Sequence, residues 1–180
     1  MLEDEKQIIE RAKGGEAEAF GQLYDHYLPK IYRFVLLKVS HREEAEDLTH
    51  QSFLKAWESI TGYVDQGFPF GSWLYQISRN TVIDHYRSSS KDKAQLNVED
   101  VAELISDDSE PLDKSVDKKL ALGKIAQALK ELKDIEQDVI IMRFVDDLPH
   151  EEVARVLEKS EGAVKLIQYR AIQSLKKILK

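Results

Sequence analysis

Residues 148–180 constrain the fold more than any other part of this chain. They read LPHEEVARVLEKSEGAVKLIQYRAIQSLKKILK, which predicts a short helix, a tight break at Glu158-Lys159-Ser160 and a longer helix. Pro149 suits the first position of a helix, where its missing N–H is no loss, and Ser160 can cap the second helix. Two helices joined by a short turn form a helix-turn-helix.

The second of these helices has two different faces. One carries the apolar residues that a packed helix requires, Val164, Ile167, Ala171, Leu175 and Ile178. The other carries Lys165, Leu166, Tyr169, Arg170, Gln173, Lys176 and Lys177. A cationic face fits the major groove of DNA, where Leu166 can contact a thymine methyl group. The alternative is a solvated basic surface that complements the helix dipole.

Composition excludes several classes of protein. The chain has no cysteine, which rules out a disulfide framework and thiolate metal sites. No apolar run reaches the length of a membrane span, and the charged start of the sequence differs from a signal peptide. We therefore expect a cytoplasmic protein without membrane insertion.

The net charge of -7 is unevenly distributed along the chain. Residues 93–117 contain eight acids and two bases, whereas residues 150–180 contain seven bases and four acids. The acidic stretch loses helical periodicity and contains Pro111, which is typical of a linker. The basic carboxyl-terminal region therefore remains compatible with a nucleic-acid partner.

The apolar periodicity predicts an all-α fold of two small helical domains joined by an acidic linker. The boundaries are 1–92 for the first domain, 93–117 for the linker and 118–180 for the second domain, which contains the helix-turn-helix. In the first domain, Gly14-Gly15 should end a helix and Pro29 should kink or interrupt the next one. In the second, residues 134–137 have the spacing of a capping box.

The stretch 62–71, GYVDQGFPFG, is predicted to be a loop because three glycines and a proline prevent regular structure. We call it the aromatic loop. Tyr63, Phe68 and Phe70 provide faces on which an unstacked base can stack, or they simply fix the loop to the helices. The helix that follows, 72–88, presents a narrow strip whose polar residues are donors suited to phosphates and base edges; the strip consists of Gln76, Arg79, Asn80, Ile83 and Arg87.

Residues of the type used in catalysis are few. Asp47 and His50 share a helix face at the i and i+3 spacing of carboxylate-bundle metal sites. Such a site needs a second pair, and the sequence offers none. The sequence also has no Gly-rich phosphate loop after a strand. We therefore expect neither a cofactor nor a catalytic activity.

Three segments together resemble a known family. Residues 43–57, EEAEDLTHQSFLKAW, residues 72–87, SWLYQISRNTVIDHYR, and the helix-turn-helix look like a sigma-70-family initiation factor of the extracytoplasmic-function (ECF) group. The resemblance covers nearly the whole chain except the linker. It implies that core RNA polymerase and promoter DNA are the partners, and that an anti-sigma factor holds the protein inactive by packing between the domains.

The resemblance also implies roles for particular residues. Core polymerase would bind the helix 43–57 through Asp47, Leu48, His50, Gln51 and Leu54. The residues that would read the minus-10 element and capture one flipped base are Tyr63, Phe68, Phe70, Arg79, Asn80 and Arg87. The minus-35 element would be contacted by Ser160, Glu161, Gly162, Lys165, Leu166, Tyr169 and Arg170.

The sequence departs from the family at three of these positions. Members usually have Gln and Glu where this chain has His50 and Gln51, and a small or polar residue in place of Leu166. The promoter sequence therefore cannot be copied from other members. The alternative function is a self-contained helix-turn-helix regulator, which would bind duplex DNA as a symmetric dimer without polymerase.

Overall fold

The structure, a computed structural model, describes residues 4–89 and 115–180, with side chains at 4–88 and 123–180. The described residues form helices and loops, without a strand, so the predicted all-α class is confirmed. The predicted linker, 93–117, lies outside the described residues except for its last three positions.

The first domain contains helices α1 (Glu5–Lys13), α2 (Ala17–Val39), α3 (Arg42–Ser59) and α4 (Phe70–Ser89). A single 3₁₀ turn, Ile60–Gly62, follows α3. Gly14 ends α1 as predicted, and Gly15 adopts a φ of 89°, which glycine tolerates better than other residues. Helix α4 begins at Phe70, inside the segment predicted to be a loop.

Of the two outcomes predicted for Pro29, a kink or an interruption of the second helix, the interruption is wrong. Helix α2 runs continuously from Ala17 to Val39 with Pro29 inside it. Pro29 is exposed, whereas Tyr27 and Ile31 on either side are buried. Packing of these flanking residues stabilises the helix across the hydrogen bond that proline cannot make.

The second domain contains α5 (Ser115–Lys130), α6 (Asp134–Ile140), α7 (His150–Val156) and α8 (Glu161–Ile178). A π-helical turn, Ile141–Val145, extends α6. The predicted capping box is displaced by one residue: Lys133 is the N-cap of α6, and its backbone N–H donates to Glu136 at 3.4 Å. Lysine offers no side-chain acceptor, so only the Glu136 half of a capping box can form.

The helix-turn-helix has the predicted form. Helices α7 and α8 flank the break, where Glu158 adopts a φ of 53°. The Ser160 hydroxyl accepts a hydrogen bond from the Ala163 N–H at 3.2 Å, which is the predicted cap. Pro149 lies one position earlier than expected, as the N-cap of α7.

The two domains pack against each other through a shared apolar core. Helix α2 packs against α1, α3 and α4, and α4 also contacts α7. Phe34 and Tyr75 of the first domain belong to the same buried cluster as Val139 and Ile141 of the second. A smaller cluster inside the second domain contains Leu129, Leu132, Ile140 and Ala171.

Candidate nucleic-acid interface

Helix α8 separates its two faces as the sequence predicts. Val164 and Ala171 are completely buried and hold the helix against the rest of its domain. The predicted contact residues on the other face are exposed: Glu161, Gly162, Lys165, Leu166, Tyr169 and Arg170. Leu166 is 49% exposed and Tyr169 is 63% exposed, so both side chains are accessible to a partner surface.

Charge on this face is predominantly positive. Lys165 forms an exposed ion pair with Glu161 at 3.7 Å, a type of contact that contributes little to stability. Arg170, Lys176 and Lys177 are exposed farther along the helix. The face therefore combines exposed cations with the side chains of Leu166 and Tyr169, which is the chemistry that major-groove recognition uses.

The aromatic loop lines a cleft of about 330 Å³ at the start of α4. Its walls include Tyr63, Phe68, Trp73 and Gln76 from the first domain. Tyr63 is 8% exposed and packs against Trp73 with ring centroids 5.1 Å apart. Burial raises the pKa of Tyr63 to about 12, so its hydroxyl stays protonated at neutral pH. The cleft provides one partly accessible ring, Phe68, and one fixed ring, Tyr63.

The prediction for Phe70 needs correction. Phe70 is the first residue of α4 and its side chain is completely buried. Its ring contacts those of Tyr27, Tyr63 and Trp73, with centroids 5.2 to 6.0 Å apart. A base cannot stack on a ring that is covered by three others. The fixing role that the sequence left open therefore describes Phe70.

A buried carboxyl in α1 holds the start of α4. Glu5 accepts a hydrogen bond from the Tyr27 hydroxyl, and its other oxygen accepts the Phe70 N–H at 3.3 Å. The N–H groups of a first helical turn lack partners within the helix, so this carboxylate replaces an ordinary cap. In the loop itself, Asp65 accepts the Gly67 N–H at 2.8 Å, and this bond lowers the Asp65 pKa.

The residues of the donor strip on α4 differ in how exposed they are. Asn80 and Arg87 are exposed, as expected for residues that contact a ligand. Arg79 is different, because its Nε lies 2.7 Å from Oδ2 of Asp138 in α6 and its side chain is only 22% exposed. Gln76 donates to Glu158 at 2.6 Å. Part of the strip is therefore covered by the second domain.

Ionic and polar contacts join the domains in addition to their shared apolar core. The Asp138 carboxylate is also 2.8 Å from Lys38 Nζ in α2, and Arg33 Nε lies 2.9 Å from Asp146 Oδ1. Other hydrogen bonds across the interface are Lys38 to the Asp134 carbonyl, Gln137 to the Leu37 carbonyl and Ser72 to Glu152. Arg155 of α7 lies 5.8 Å from the ring centre of Phe68 and so closes one side of the cleft.

Two acids at this interface have raised pKa values. Burial raises the pKa of Asp146, although the neighbouring Arg33 opposes the shift. Burial likewise raises the pKa of Glu152, and the hydrogen bond from Ser72 opposes it. Burial of a carboxylate favours its neutral form, so packing of the domains is easier when these groups are protonated.

The predicted docking face on α3 is mostly exposed. Asp47, His50, Gln51 and Leu54 lie on the surface, and Leu54 is 56% exposed. Leu48 needs correction, because its side chain is 1% exposed and belongs to the core. Leu48 therefore supports the exposed face of α3 from inside the core. Within 4–88 and 123–180, Asp47 and His50 do not join a group of three or more metal-ligating side chains.

Sequence reasoning missed Lys38 and Asp138, the most buried charged pair of the interface. Lys38 interrupts the apolar run FVLLKV, and Asp138 interrupts the apolar side of α6. An isolated charge among residues that are otherwise buried signals a specific ionic partner. That signal was present, but it does not identify the partner, which lies 100 residues away along the chain.

Within the described ranges, the helices lack the combination of length and apolarity that crossing a membrane requires.

Two family models match the chain: sigma-70 region 2 matches residues 23–92, and sigma-70 region 4 matches residues 128–177. The first match contains α3, the aromatic loop and α4. The second contains the whole helix-turn-helix except its last residues.

Two curated relatives align over almost the whole chain. The ECF RNA polymerase sigma factor BldN of Streptomyces coelicolor is 38% identical over 173 residues, which are 96% of this chain and 65% of the relative. The ECF RNA polymerase sigma factor SigW of Bacillus subtilis is 29% identical over 183 residues, covering 97% of this chain and 96% of the relative. The chain thus spans less than two thirds of BldN and nearly all of SigW.

Two solved structures are similar in fold. CnrH, in complex with the cytosolic domain of CnrY, superimposes with a TM-score of 0.73 at 22% identity, over 98% of this chain and 97% of CnrH. The sigma factor RpoE of Bartonella quintana, in complex with the anti-sigma factor NepR, gives a TM-score of 0.67 at 23% identity. That match covers 89% of this chain and 96% of RpoE.

Proposed function

This chain belongs to the extracytoplasmic-function group of the sigma-70 family, and we propose that it is an initiation factor that directs core RNA polymerase to specific promoters. The observation that carries the proposal is the order of two family regions on one chain, together with the cationic outer face of α8 in the second. Catalysis belongs to the polymerase, and this protein contributes recognition.

The second domain would contact the minus-35 element through α8. Ser160, Glu161 and Gly162 lie at the start of the helix, where backbone N–H groups attract a DNA phosphate. Lys165, Leu166, Tyr169 and Arg170 would then face the base edges. The exposure of Leu166 and Tyr169 supports this assignment.

The first domain would bind the opened minus-10 element. The cleft beside Tyr63 and Phe68 has the volume and the aromatic walls to hold a flipped base. Arg79, Asn80 and Arg87 on α4 would contact the adjacent backbone and base edges. Phe70 is a support for the cleft and is omitted from the contact residues.

Core polymerase would bind the exposed side of α3. Asp47, His50, Gln51 and Leu54 lie together on that side, and Leu54 supplies the apolar centre that a protein interface commonly needs. The domain boundaries at 92 and 118 remain our proposal for where the connecting segment begins and ends.

We also propose that an anti-sigma factor regulates this protein and that it acts in the cytoplasm, with the polymerase. Support comes from CnrH and RpoE, which were solved with CnrY and with the anti-sigma factor NepR. The similarity to both is in the fold. Co-purification of the tagged chain from its own cells would identify such a partner.

Run-off transcription tests the proposed function. Purified core polymerase is incubated with pooled genomic promoter fragments, with and without this protein. Discrete transcripts that require the protein are expected. The rival, a self-contained regulator, would instead bind a duplex site with comparable affinity in the absence of polymerase and would give no new transcript.

A further inference from the structure

The carboxylate of Asp138 is held between two cations of the other domain. Lys38 Nζ lies 2.8 Å from one oxygen and Arg79 Nε lies 2.7 Å from the other. The Asp138 side chain is 1% exposed, so the contact excludes water. Two convergent cations on one oxyanion are equally suited to a DNA phosphate, which has the same charge and acceptor oxygens.

A third cation continues this arrangement. Arg33, in the same helix as Lys38, lies 2.9 Å from Asp146, whose side chain is completely buried. In all three ion pairs the cation belongs to the first domain and the carboxylate to the second. Separation of the domains would leave Arg33, Lys38 and Arg79 on the first domain without these carboxylates.

The packed arrangement cannot serve both promoter elements at once. The minus-10 and minus-35 elements are about 25 base pairs apart, or about 85 Å at 3.4 Å per base pair. A compact chain of 180 residues has a radius of gyration of about 16 Å and is therefore about 40 Å across. Contact with both elements thus requires the two domains to separate.

We propose that Arg33, Lys38 and Arg79 form a binding site for promoter DNA phosphates, which the carboxylates of Asp138 and Asp146 occupy while the domains are packed together. The proposal rests on the proposed function, since it assumes that the first domain binds DNA. It adds Arg33 and Lys38 to the DNA-binding surface. It also makes domain packing and DNA binding by this site mutually exclusive.

The test measures DNA binding by the full chain without polymerase. The probe is a fluorescein-labelled 20-base-pair duplex of arbitrary sequence, and anisotropy is recorded over a series of salt concentrations. Asp138→Asn should free Lys38 and Arg79, tighten binding several-fold at low salt and steepen the salt dependence by about 1.8, since each phosphate contact contributes about 0.9 to the slope.

Two further variants make the result specific. Glu131→Gln removes the same charge from an exposed residue that makes none of the contacts between the domains described above, and it should change the slope little. Adding Lys38→Gln to Asp138→Asn should lower the slope by about 0.9 again. Glutamine and asparagine can still hydrogen-bond across the interface, so this double variant is expected to fold, which circular dichroism checks.

Two results of the DNA-binding assay would overturn the proposal. One is an Asp138→Asn variant that binds the duplex no better than Glu131→Gln does. The other is a double variant that keeps the slope of Asp138→Asn, which would place the released DNA contact elsewhere. Tighter binding to core polymerase with unchanged DNA binding would also contradict it. Because polymerase is absent from the DNA assay, failure of the run-off experiment and failure of this proposal are separate outcomes.

Discussion

Substitution of Gly71 by alanine should destabilise the protein through a single clash. A Cβ atom at this position would lie 2.6 Å from Cε1 of Tyr27, and 3.2 and 3.4 Å from the next two ring atoms. The ring cannot move away easily, because Tyr27 is 4% exposed and its hydroxyl is bonded to Glu5. The alanine therefore forces either the ring or the start of α4 to shift.

The magnitude follows from two opposing effects. Overpacking of a filled core costs about 1–3 kcal/mol. Alanine is favoured over glycine within a helix by up to about 1 kcal/mol, which offsets part of that cost. We expect a net loss of about 1–2 kcal/mol, and hence a fall of about 2–8 °C in the melting temperature of a domain of this size.

Thermal unfolding followed by circular dichroism at 222 nm measures this loss, and Gly21→Ala is the matched control. Gly21 lies inside α2, and a Cβ atom there would meet nothing within 4 Å. That variant should gain about 0.5–1 kcal/mol from helix propensity alone. A Gly71→Ala protein that melts at or above the wild-type temperature would refute the assignment of Gly71 as a site of required close approach.

Three further predictions concern other parts of the structure. Leu54→Ala should change stability by less than about 0.5 kcal/mol but weaken core polymerase binding about tenfold in a competition assay, whereas Leu48→Ala should cost about 2–5 kcal/mol of stability. Ser160→Ala should cost about 1 kcal/mol through loss of the cap of α8, and Ser160→Thr should restore most of it in the same thermal assay. Burial raises the Glu152 pKa in the packed protein, so the neutral carboxyl is favoured there. The packed protein therefore becomes more stable as the pH falls through this raised pKa. Glu152→Gln should therefore raise the melting temperature at pH 7 and lose this advantage towards pH 4; an advantage that persists at pH 4 would contradict the argument.

The sequence was most informative where the signal is local. The faces of α8 follow from its apolar spacing, and the Ser160 cap follows from one hydroxyl at the right position. The error at Pro29 has the opposite origin, because burial of Tyr27 and Ile31 outweighs the local preference of proline. Tertiary packing decided that position, and no local pattern records it.

The candidate sites were predictable to the level of the segment but not of the side chain. Three rings in the aromatic loop looked equivalent in the sequence, yet Phe70 is buried under Tyr27, Tyr63 and Trp73, while Phe68 keeps access to the cleft. Leu48 and Leu54 differ in the same way on α3. Helical spacing alone leaves such choices open, because which side faces the core depends on helices that are distant in sequence.

The interface between the domains depends on contacts between distant parts of the chain that the sequence does not predict, and these contacts bear on function. A buried ion pair adds little net stability, because desolvation of the charges offsets most of their attraction. When the domains separate, Lys38, Arg79 and Asp138 regain water, so the ionic part of the interface adds less to the cost of opening than the shared apolar core does. The ionic contacts fix how the domains pack, while the shared apolar core supplies most of the stability of the packed state. That combination suits a protein whose α4 strip is partly covered in the packed state and whose two domains must separate to reach both promoter elements.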